Sequence, residues 1–259
     1  PVSEDGIIDL SKLESSIDNQ TILITVMHAN NETGVIQPVE EIFGIAVKHH
    51  IPFHTDAAQS TGKIPVQARY ADLISVAGHK LYAPKGIGAL YIRDGIKIEK
   101  LIHGADHENN LRAGTENVLE IAGLGKAAEI AGRDLEKNIS HSKELRDLLQ
   151  EKLSAAFPDG IINGHPQKRL PNTLYFTIPG VESGTLISEI SDKVAFSAGA
   201  ACHTEDDRAS ETLTAMGVPE SLSRCTIRLS TGRFLTKEDT DKAADIIINA
   251  AKSIRGDGD

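Results

Sequence analysis

The stretch Ser-Val-Ala-Gly-His-Lys, residues 75–80, closes a short apolar run and begins a turn. The run, residues 71–77, predicts a buried strand, and the glycine-rich residues 83–88 that follow predict a hairpin. Lys80 therefore stands at the carboxyl end of a predicted strand. Burial of an amine there is costly unless the amine is neutral, paired or covalently bound, because burial disfavours the charged form. A neutral lysine amine can bond covalently to a carbonyl carbon.

Two more predicted strands precede this one, at residues 21–28 and 51–56, with a predicted helix at 38–50 between them. The continuous apolar run at 21–28 is typical of a strand buried on both faces of a parallel sheet. Open α/β sheets bind ligands at the carboxyl ends of their strands. Asp56 and Lys80 both fall there, and an amine with a carboxylate is the pair that pyridoxal phosphate needs. Taken singly, a solvated lysine and a turn-capping aspartate explain each residue as well.

Six motifs resemble the class V aminotransferase superfamily, and most closely its cysteine desulfurase and selenocysteine lyase branch. They occur in the family's order and span nearly the whole chain. The six are Asn-Asn-Glu-Thr-Gly at 30–34, His-Thr-Asp-Ala-Ala-Gln at 54–59, Gly-His-Lys at 78–80, Arg-Ala-Gly-Thr-Glu-Asn at 112–117, Ser-Ala-Gly-Ala-Ala-Cys-His at 197–203 and Arg-Leu-Ser-Thr-Gly-Arg at 228–233.

The resemblance implies the α/β fold of type I pyridoxal-phosphate-dependent transferases. Residues 1–114 are then the C-terminal part of the large cofactor-binding domain, with a mostly parallel sheet. Residues 115–259 are then a connecting helix and a small α+β domain. Because family members carry a phosphate-binding loop upstream of this region, we expect the chain to be about the C-terminal two thirds of a longer protein. A short protein with a degraded cofactor site is the alternative.

The resemblance also implies a role for each polar residue at the strand ends. Lys80 binds pyridoxal 5'-phosphate covalently, and Asp56 keeps the pyridine nitrogen protonated so that the ring can withdraw electrons. Gln59 hydrogen-bonds the phenolate oxygen side of the ring. Asn31 approaches the same oxygen or the substrate carboxylate. His79 lies beside the phosphate and Lys80, and is a candidate catalytic residue.

A further pair of residues implies a homodimer. By the resemblance, Thr115 reaches the phosphate of the partner subunit's cofactor, with Arg112 close by. The alternative for Thr115 is a plain N-cap of the helix that follows, because a threonine hydroxyl can accept from the first free backbone N–H groups.

The remaining candidate residues concern the substrate. Cys202 follows the small residues 198–201 and is the candidate sulfur acceptor, whereas Cys225 begins an apolar strand and is predicted to be core. Arg228 matches the arginine that binds the substrate carboxylate, for which a planar guanidinium is suited. Its alternative is an ordinary salt bridge at a strand edge.

Three functions stay open from the sequence. The first is a cysteine desulfurase that forms L-alanine and a persulfide on Cys202. The second is a selenocysteine lyase, which is favoured because Ala77 stands where many cysteine desulfurases have a phosphate-binding serine. The third is a catalytically silent fragment or binding subunit. An ordinary aminotransferase would give Cys202 no task.

Composition excludes several classes. The 259 residues are 40% hydrophobic and 25% charged, which is typical of globular domains. A net charge of −10 disfavours nonspecific nucleic-acid binding, and no apolar run reaches the roughly 18 residues of a membrane span. Two cysteines without a zinc spacing predict no metal site and fit the cytoplasm. The resemblance implies a sulfur-acceptor protein as partner, either an iron–sulfur cluster assembly scaffold or a tRNA-thiolation protein.

Overall fold

The computed structural model describes residues 1–199 and 209–256, which form two compact units. One unit combines residues 16–28 with 38–135, and the other combines 1–15, 29–37 and the chain from 136 onward. The strands are β1 (Ile24–Met27), β2 (Phe53–Asp56), β3 (Leu73–Ala77), β4 (Gly88–Ile92), β5 (Ile161–Ile162), β6 (Thr173–Thr177), β7 (Ser197–Ala198) and β8 (Thr226–Ser230). The helices are α1 (Leu10–Ser15), α2 (Val39–Lys48), α3 (His107–Asn110), α4 (Val118–Arg133), α5 (Leu135–Ala156), α6 (Ser183–Ile190), α7 (Glu211–Ala215), α8 (Glu220–Ser223) and α9 (Lys237–Arg255).

The unit that contains residues 38–135 is built on a four-stranded sheet in the order β1-β2-β3-β4. β1, β2 and β3 are parallel, and β4 pairs with β3 antiparallel through the predicted hairpin. Helix α2 connects β1 to β2 and buries Ile42 and Ala46, while β2 buries Phe53. The prediction of an α/β fold with a mostly parallel sheet is confirmed.

The burial of one face of this sheet differs from the prediction. Residues 21–28 were expected to form a strand buried on both faces, but only Ile24 of β1 is fully buried, and Met27 is 42% exposed. On β4, Leu90 is 47% exposed. The apolar run predicted the strand correctly but not its burial, since a β-branched run does not say which faces receive a covering layer.

The unit that contains residues 136–256 has an antiparallel sheet in the order β5-β6-β8-β7. Its strand β6 is buried at every position. In the core beneath it, apolar residues of this sheet pack against apolar residues of three helices. The helix residues are Leu149, Leu153 and Phe157 of the α5 region, Leu186 and Ile190 of α6, and Ala244, Ile247 and Ala251 of α9.

Two predicted helix boundaries need correction. The connecting helix expected after residue 114 is two helices, because Asp134 leaves the helical conformation between α4 and α5. Thr115 is not the N-cap of α4. Asn117 takes that position, and its side chain accepts from the Glu120 N–H. Thr236 caps α9 and forms a reciprocal capping box with Asp239.

Candidate functional site

The strand ends of the parallel sheet carry the predicted cofactor residues. Asp56 is the last residue of β2 and is paired in register with Ser75 of β3, five residues before Lys80. Because β2 and β3 are parallel, Asp56 and the turn that holds Lys80 occur at the same edge of the sheet. The backbone N–H of Ala58 donates to Asp56 Oδ1 at 2.8 Å, which fixes the orientation of the carboxylate.

Lys80 lies in a single 3-10 turn, Gly78–Leu81, directly after β3. The turn is tight: a Cβ on Gly78 would lie 2.7 Å from the carbonyl oxygen of Ile87, and Tyr82 ends the turn in the left-handed conformation at φ 69°. Lys80 and His79 are both exposed. The strand is buried at its beginning, but its carboxyl end opens to solvent.

Gln59 follows Asp56 in the same turn region and is held by Lys63. The Lys63 ammonium donates to the Gln59 carbonyl oxygen at 2.9 Å and approaches its side-chain Oε1 at 3.4 Å. The amide nitrogen of Gln59 is the part of this side chain that can donate to a ligand.

A chain of hydrogen bonds that the sequence analysis missed crosses the three parallel strands. His54 Nδ1 lies 2.7 Å from the Thr25 hydroxyl of β1, and its Nε2 lies 2.9 Å from the Ser75 hydroxyl of β3. Burial lowers the pKa of His54, against the opposing charge of Asp56. The imidazole is therefore neutral near pH 7. His54 belongs to the quoted 54–59 motif, but spacing alone does not reveal a cross-strand partner.

Arg112 and Thr115, which are predicted to reach a partner subunit, are exposed. They follow α3, where Glu108 and Asn109 adopt left-handed φ values of 50° and 55°. Exposed apolar side chains flank the same region, among them Leu101 at 92%, Val118 at 72% and Leu119 at 80%.

The substrate residues lie in the other unit. Arg228 of β8 donates from Nη1 to the carbonyl oxygen of Asn31 at 2.7 Å and from Nη2 to the Ser197 hydroxyl at 3.1 Å. Asn31 is held in a turn because the Asn30 side chain accepts from the N–H groups of Glu32 and Thr33. The structure thus brings Asn31 and Arg228 together.

Glu32 is a residue that the sequence analysis missed. Its carboxylate accepts hydrogen bonds from three hydroxyl groups: Tyr175 at 2.9 Å, Ser210 at 2.5 Å and Thr212 at 2.8 Å. Tyr175 is 1% exposed. Burial first, and then the Glu32 charge, raise the pKa of Tyr175, which keeps the phenol protonated as a donor.

Of the two cysteines, the structure describes Cys225 but not Cys202. Cys225 is 7% exposed, so its prediction as a core residue is confirmed. Cys202 lies outside the described residues, which resume at Ala209. Ser197, at the beginning of its motif, is described and contacts Arg228.

The side chains at the sheet edge fit pyridoxal 5'-phosphate. An amine that can bond to an aldehyde carbon is present at Lys80, and a carboxylate for a pyridinium nitrogen is present at Asp56. Gln59 supplies an amide donor, and the His79 imidazole can donate to a phosphate. Ala77 supplies no hydroxyl, which removes one donor that many family members use.

The chain belongs to the class V aminotransferase family. The family model described as "Aminotransferase class-V" matches residues 1–242. Its members that resemble this chain are pyridoxal-phosphate-dependent enzymes, so the resemblance and the cofactor predicted from the six motifs are confirmed.

Individual relatives that match the chain agree with this family. A cysteine desulfurase IscS of Dictyoglomus turgidum is 42% identical over 98% of this chain and 66% of the relative. A solved structure titled "NIFS-LIKE PROTEIN" matches with a TM-score of 0.88 and 35% identity, over 96% of this chain and 66% of that one. "SspA in complex with cysteine" matches with a TM-score of 0.74 and 34% identity, over 91% and 66%. The chain thus spans just under two thirds of these relatives' length.

Two further findings apply to residues 1–199 and 209–256. No helix there is long and apolar enough to cross a membrane. Within the same ranges, no group of three or more histidine, cysteine, aspartate or glutamate side chains is arranged to hold a metal ion.

Proposed function

We propose that the whole protein is a pyridoxal-phosphate-dependent cysteine desulfurase that converts L-cysteine to L-alanine and leaves a persulfide on Cys202. The observation that carries the proposal is the pair Lys80 and Asp56 at neighbouring parallel strand ends, in a chain 42% identical to a cysteine desulfurase. The relative solved with cysteine supports the same substrate class.

In this proposal, Lys80 would hold the cofactor covalently and would move the proton of the substrate Cα. Asp56, whose carboxylate is oriented by Ala58, would hold a proton on the pyridine nitrogen. Gln59 would supply a donor for the phenolate oxygen, and His79 would supply one for the phosphate. The bound cofactor supplies an electron sink for the substrate carbon.

Arg228 and Asn31 bind the substrate carboxylate. A guanidinium has five N–H donors in a fixed fork, which matches two carboxylate oxygens. The bonds from Arg228 to the Asn31 carbonyl and to Ser197 hold the fork in one orientation before a ligand arrives.

The sulfur step uses the thiolate of Cys202. Its sulfur forms a bond with the substrate sulfur as the carbon–sulfur bond of the substrate breaks. The electron pair of that bond stays on the carbon, which takes a proton and becomes the methyl group of alanine. The substrate sulfur remains on Cys202 as a persulfide, so atoms and electrons balance without a further reductant.

Selenocysteine lyase activity is the second candidate, and Ala77 favours it. With fewer phosphate donors than many cysteine desulfurases have, the chain resembles the selenocysteine-lyase side of its branch. Competition between L-cysteine and L-selenocysteine in the complete protein separates the two candidates. The ratio of kcat/KM values is the deciding quantity, because a lyase specialised for selenium would leave L-cysteine almost unused.

We also propose that the protein works as a homodimer and passes its persulfide to an acceptor protein, an iron–sulfur scaffold or a tRNA-thiolation protein. The exposed Arg112 and Thr115, with the exposed apolar Val118 and Leu119 beside them, support contact with a second subunit. Large exposed apolar side chains in one region are typical of interaction sites. The cytoplasmic location and the domain division at residue 114 stay predictions.

The test of the proposed function is a product assay on Asp56→Asn in the complete protein. The neutral amide of this variant cannot hold the nitrogen proton by charge, so alanine formation from L-cysteine should fall by roughly a hundredfold or more while the cofactor remains bound. Asp94→Asn, in an exposed turn after β4, is the matched control and should keep full turnover. Near wild-type turnover in Asp56→Asn would remove the proposed role.

A further inference from the structure

A polar cluster outside the cofactor residues surrounds Glu32. One carboxylate accepts from three hydroxyl groups that come from strand β6 and from the beginning of helix α7. Two of its donors make further bonds. The single Tyr175 hydroxyl proton is shared between Glu32 and the Gly199 carbonyl oxygen, which lies 3.1 Å from the phenol oxygen, and Ser210 accepts from the Leu213 N–H at 3.1 Å as the N-cap of α7. Glu32 thereby connects the 29–37 segment to the sheet and to a helix.

The residue that precedes Glu32 in the same segment contacts Arg228. Asn31, adjacent to Glu32 in the chain, accepts from Arg228 Nη1 through its backbone carbonyl. Tyr175, which donates to Glu32, is the cross-strand partner of Arg228 in the β6–β8 ladder. The dipeptide 31–32 is therefore fixed at its side chain by Tyr175 and at its carbonyl by Arg228.

We propose that Glu32 is a positioning residue for substrate-carboxylate binding. By holding the 31–32 peptide in place, Glu32 keeps the Asn31 carbonyl where it orients the Arg228 guanidinium. The inference rests on the proposed function, because it takes Arg228 as the group that binds the substrate carboxylate.

The residue type follows from the hydrogen-bond inventory. An ionised carboxylate only accepts, so it can take all three hydroxyl protons at once. A glutamine has one accepting oxygen and a donating NH₂ group, so at least one of the three hydroxyls would have to reverse its direction. Charge-assisted bonds are also about twice as strong as neutral ones. Glutamine should therefore fill the same volume but loosen the 31–32 peptide.

The test measures ligand affinity without turnover. The complete protein, loaded with pyridoxal phosphate, is titrated with L-alanine and with ethylamine, an amine that lacks a carboxylate, and binding is followed by the absorbance of the cofactor. Glu32→Gln should weaken L-alanine binding about tenfold and leave ethylamine binding within about twofold. Glu189→Gln, on the exposed surface of α6, is the matched control and should change neither.

A second variant covers the case in which Glu32→Gln does not fold. Thr212→Val removes one hydroxyl donor from the cluster and should weaken L-alanine binding in the same direction by a smaller factor. Equal losses for both ligands, or no loss for either in both variants, would overturn the positioning role.

Arg228→Lys separates this inference from the proposed function. Loss of L-alanine binding in Arg228→Lys, with selective loss also in Glu32→Gln, supports both. If Arg228→Lys loses L-alanine selectively but the Glu32 variant does not, the role of Glu32 alone is wrong. If Arg228→Lys keeps full affinity for L-alanine, the carboxylate assignment of the proposed function is wrong, and the inference fails with it.

Discussion

The candidate site residues depend on partners that orient them. Asp56 is oriented by a backbone N–H, Gln59 by Lys63, and Arg228 by a backbone carbonyl. The sequence predicted these candidate residues because each one lies in a motif that resembles the family. It did not predict Glu32 or His54, whose partners are far away in the chain, although both lie inside quoted motifs.

Lys80→Ala should abolish the covalent attachment of the cofactor in the complete protein. Lys80 is the lysine in the turn after β3, at the strand edge that Asp56 shares. Borohydride reduction followed by peptide mapping of the wild-type protein should place the pyridoxyl label on Lys80. A label on Lys63 or Lys85 would show that the assignment is wrong.

Stability should depend on pH through His28. Its side chain is 7% exposed, its Nδ1 has no hydrogen-bond partner within the described ranges, and burial lowers its pKa. The unfolded chain binds a proton near pH 6.5, but the folded chain resists it until lower pH. The contribution of His28 to the free energy of unfolding should therefore have its full value above pH 6.5 and decrease as the pH falls below 6.5. The lowered pKa of His54 acts in the same direction.

Denaturant unfolding of the complete protein at pH 7.5 and pH 5.5 measures this effect. His28→Asn removes the titrating group and should give a smaller difference between the two pH values than the wild type. His103→Gln, at an exposed histidine, should keep the wild-type difference. An unchanged pH dependence in His28→Asn would contradict this role of His28.

Elements were predicted better than their ends. β2 (Phe53–Asp56) ends at the last residue of the predicted strand at 51–56, and α2 (Val39–Lys48) lies within the predicted helix at 38–50. The break at Asp134 was missed because the flanking sequence continues to favour a helix. The choice of Asn117 over Thr115 as N-cap also lies beyond sequence reasoning, because both residue types cap helices well.

Removal of the α9 cap should lower stability by about 1 kcal/mol. The Thr236 hydroxyl accepts from the Asp239 N–H at 3.0 Å, and the Asp239 carboxylate accepts from the Thr236 N–H at 3.1 Å. Thr236→Ala removes the first of these bonds, and α9 supplies Ala244, Ile247 and Ala251 to the core. Ser253→Ala, in the exposed last turn of the same helix, is the control. Equal unfolding midpoints for Thr236→Ala and the wild type would contradict the role of the cap.

At the scale of the whole molecule, each unit combines segments that are separate in the sequence. Residues 29–37 belong with the chain after 136, although they lie between two segments of the other unit. The Glu32 cluster and the Asn31–Arg228 bond explain this grouping, since both join the segment to residues more than 140 positions away. Composition and motif order predicted the fold class, but long-range partners of this kind leave no local signal.

Cys202→Ala should remove alanine formation from L-cysteine, because sulfur transfer needs a thiolate whose reactivity depends on pKa and access. Selenium leaves more readily than sulfur, so turnover of L-selenocysteine should persist in the same variant. Cys225→Ala should change neither activity, since Cys225 is buried in the core.

Persulfide mapping tests the central claim most directly. The complete protein is incubated with L-cysteine, its thiols and persulfides are alkylated, and its peptides are analysed by mass spectrometry. We expect one additional sulfur on Cys202, formed in step with alanine, and none on Cys225. A persulfide that maps to Cys225, or alanine formed from L-cysteine with no sulfur on Cys202, would contradict the proposed sulfur transfer.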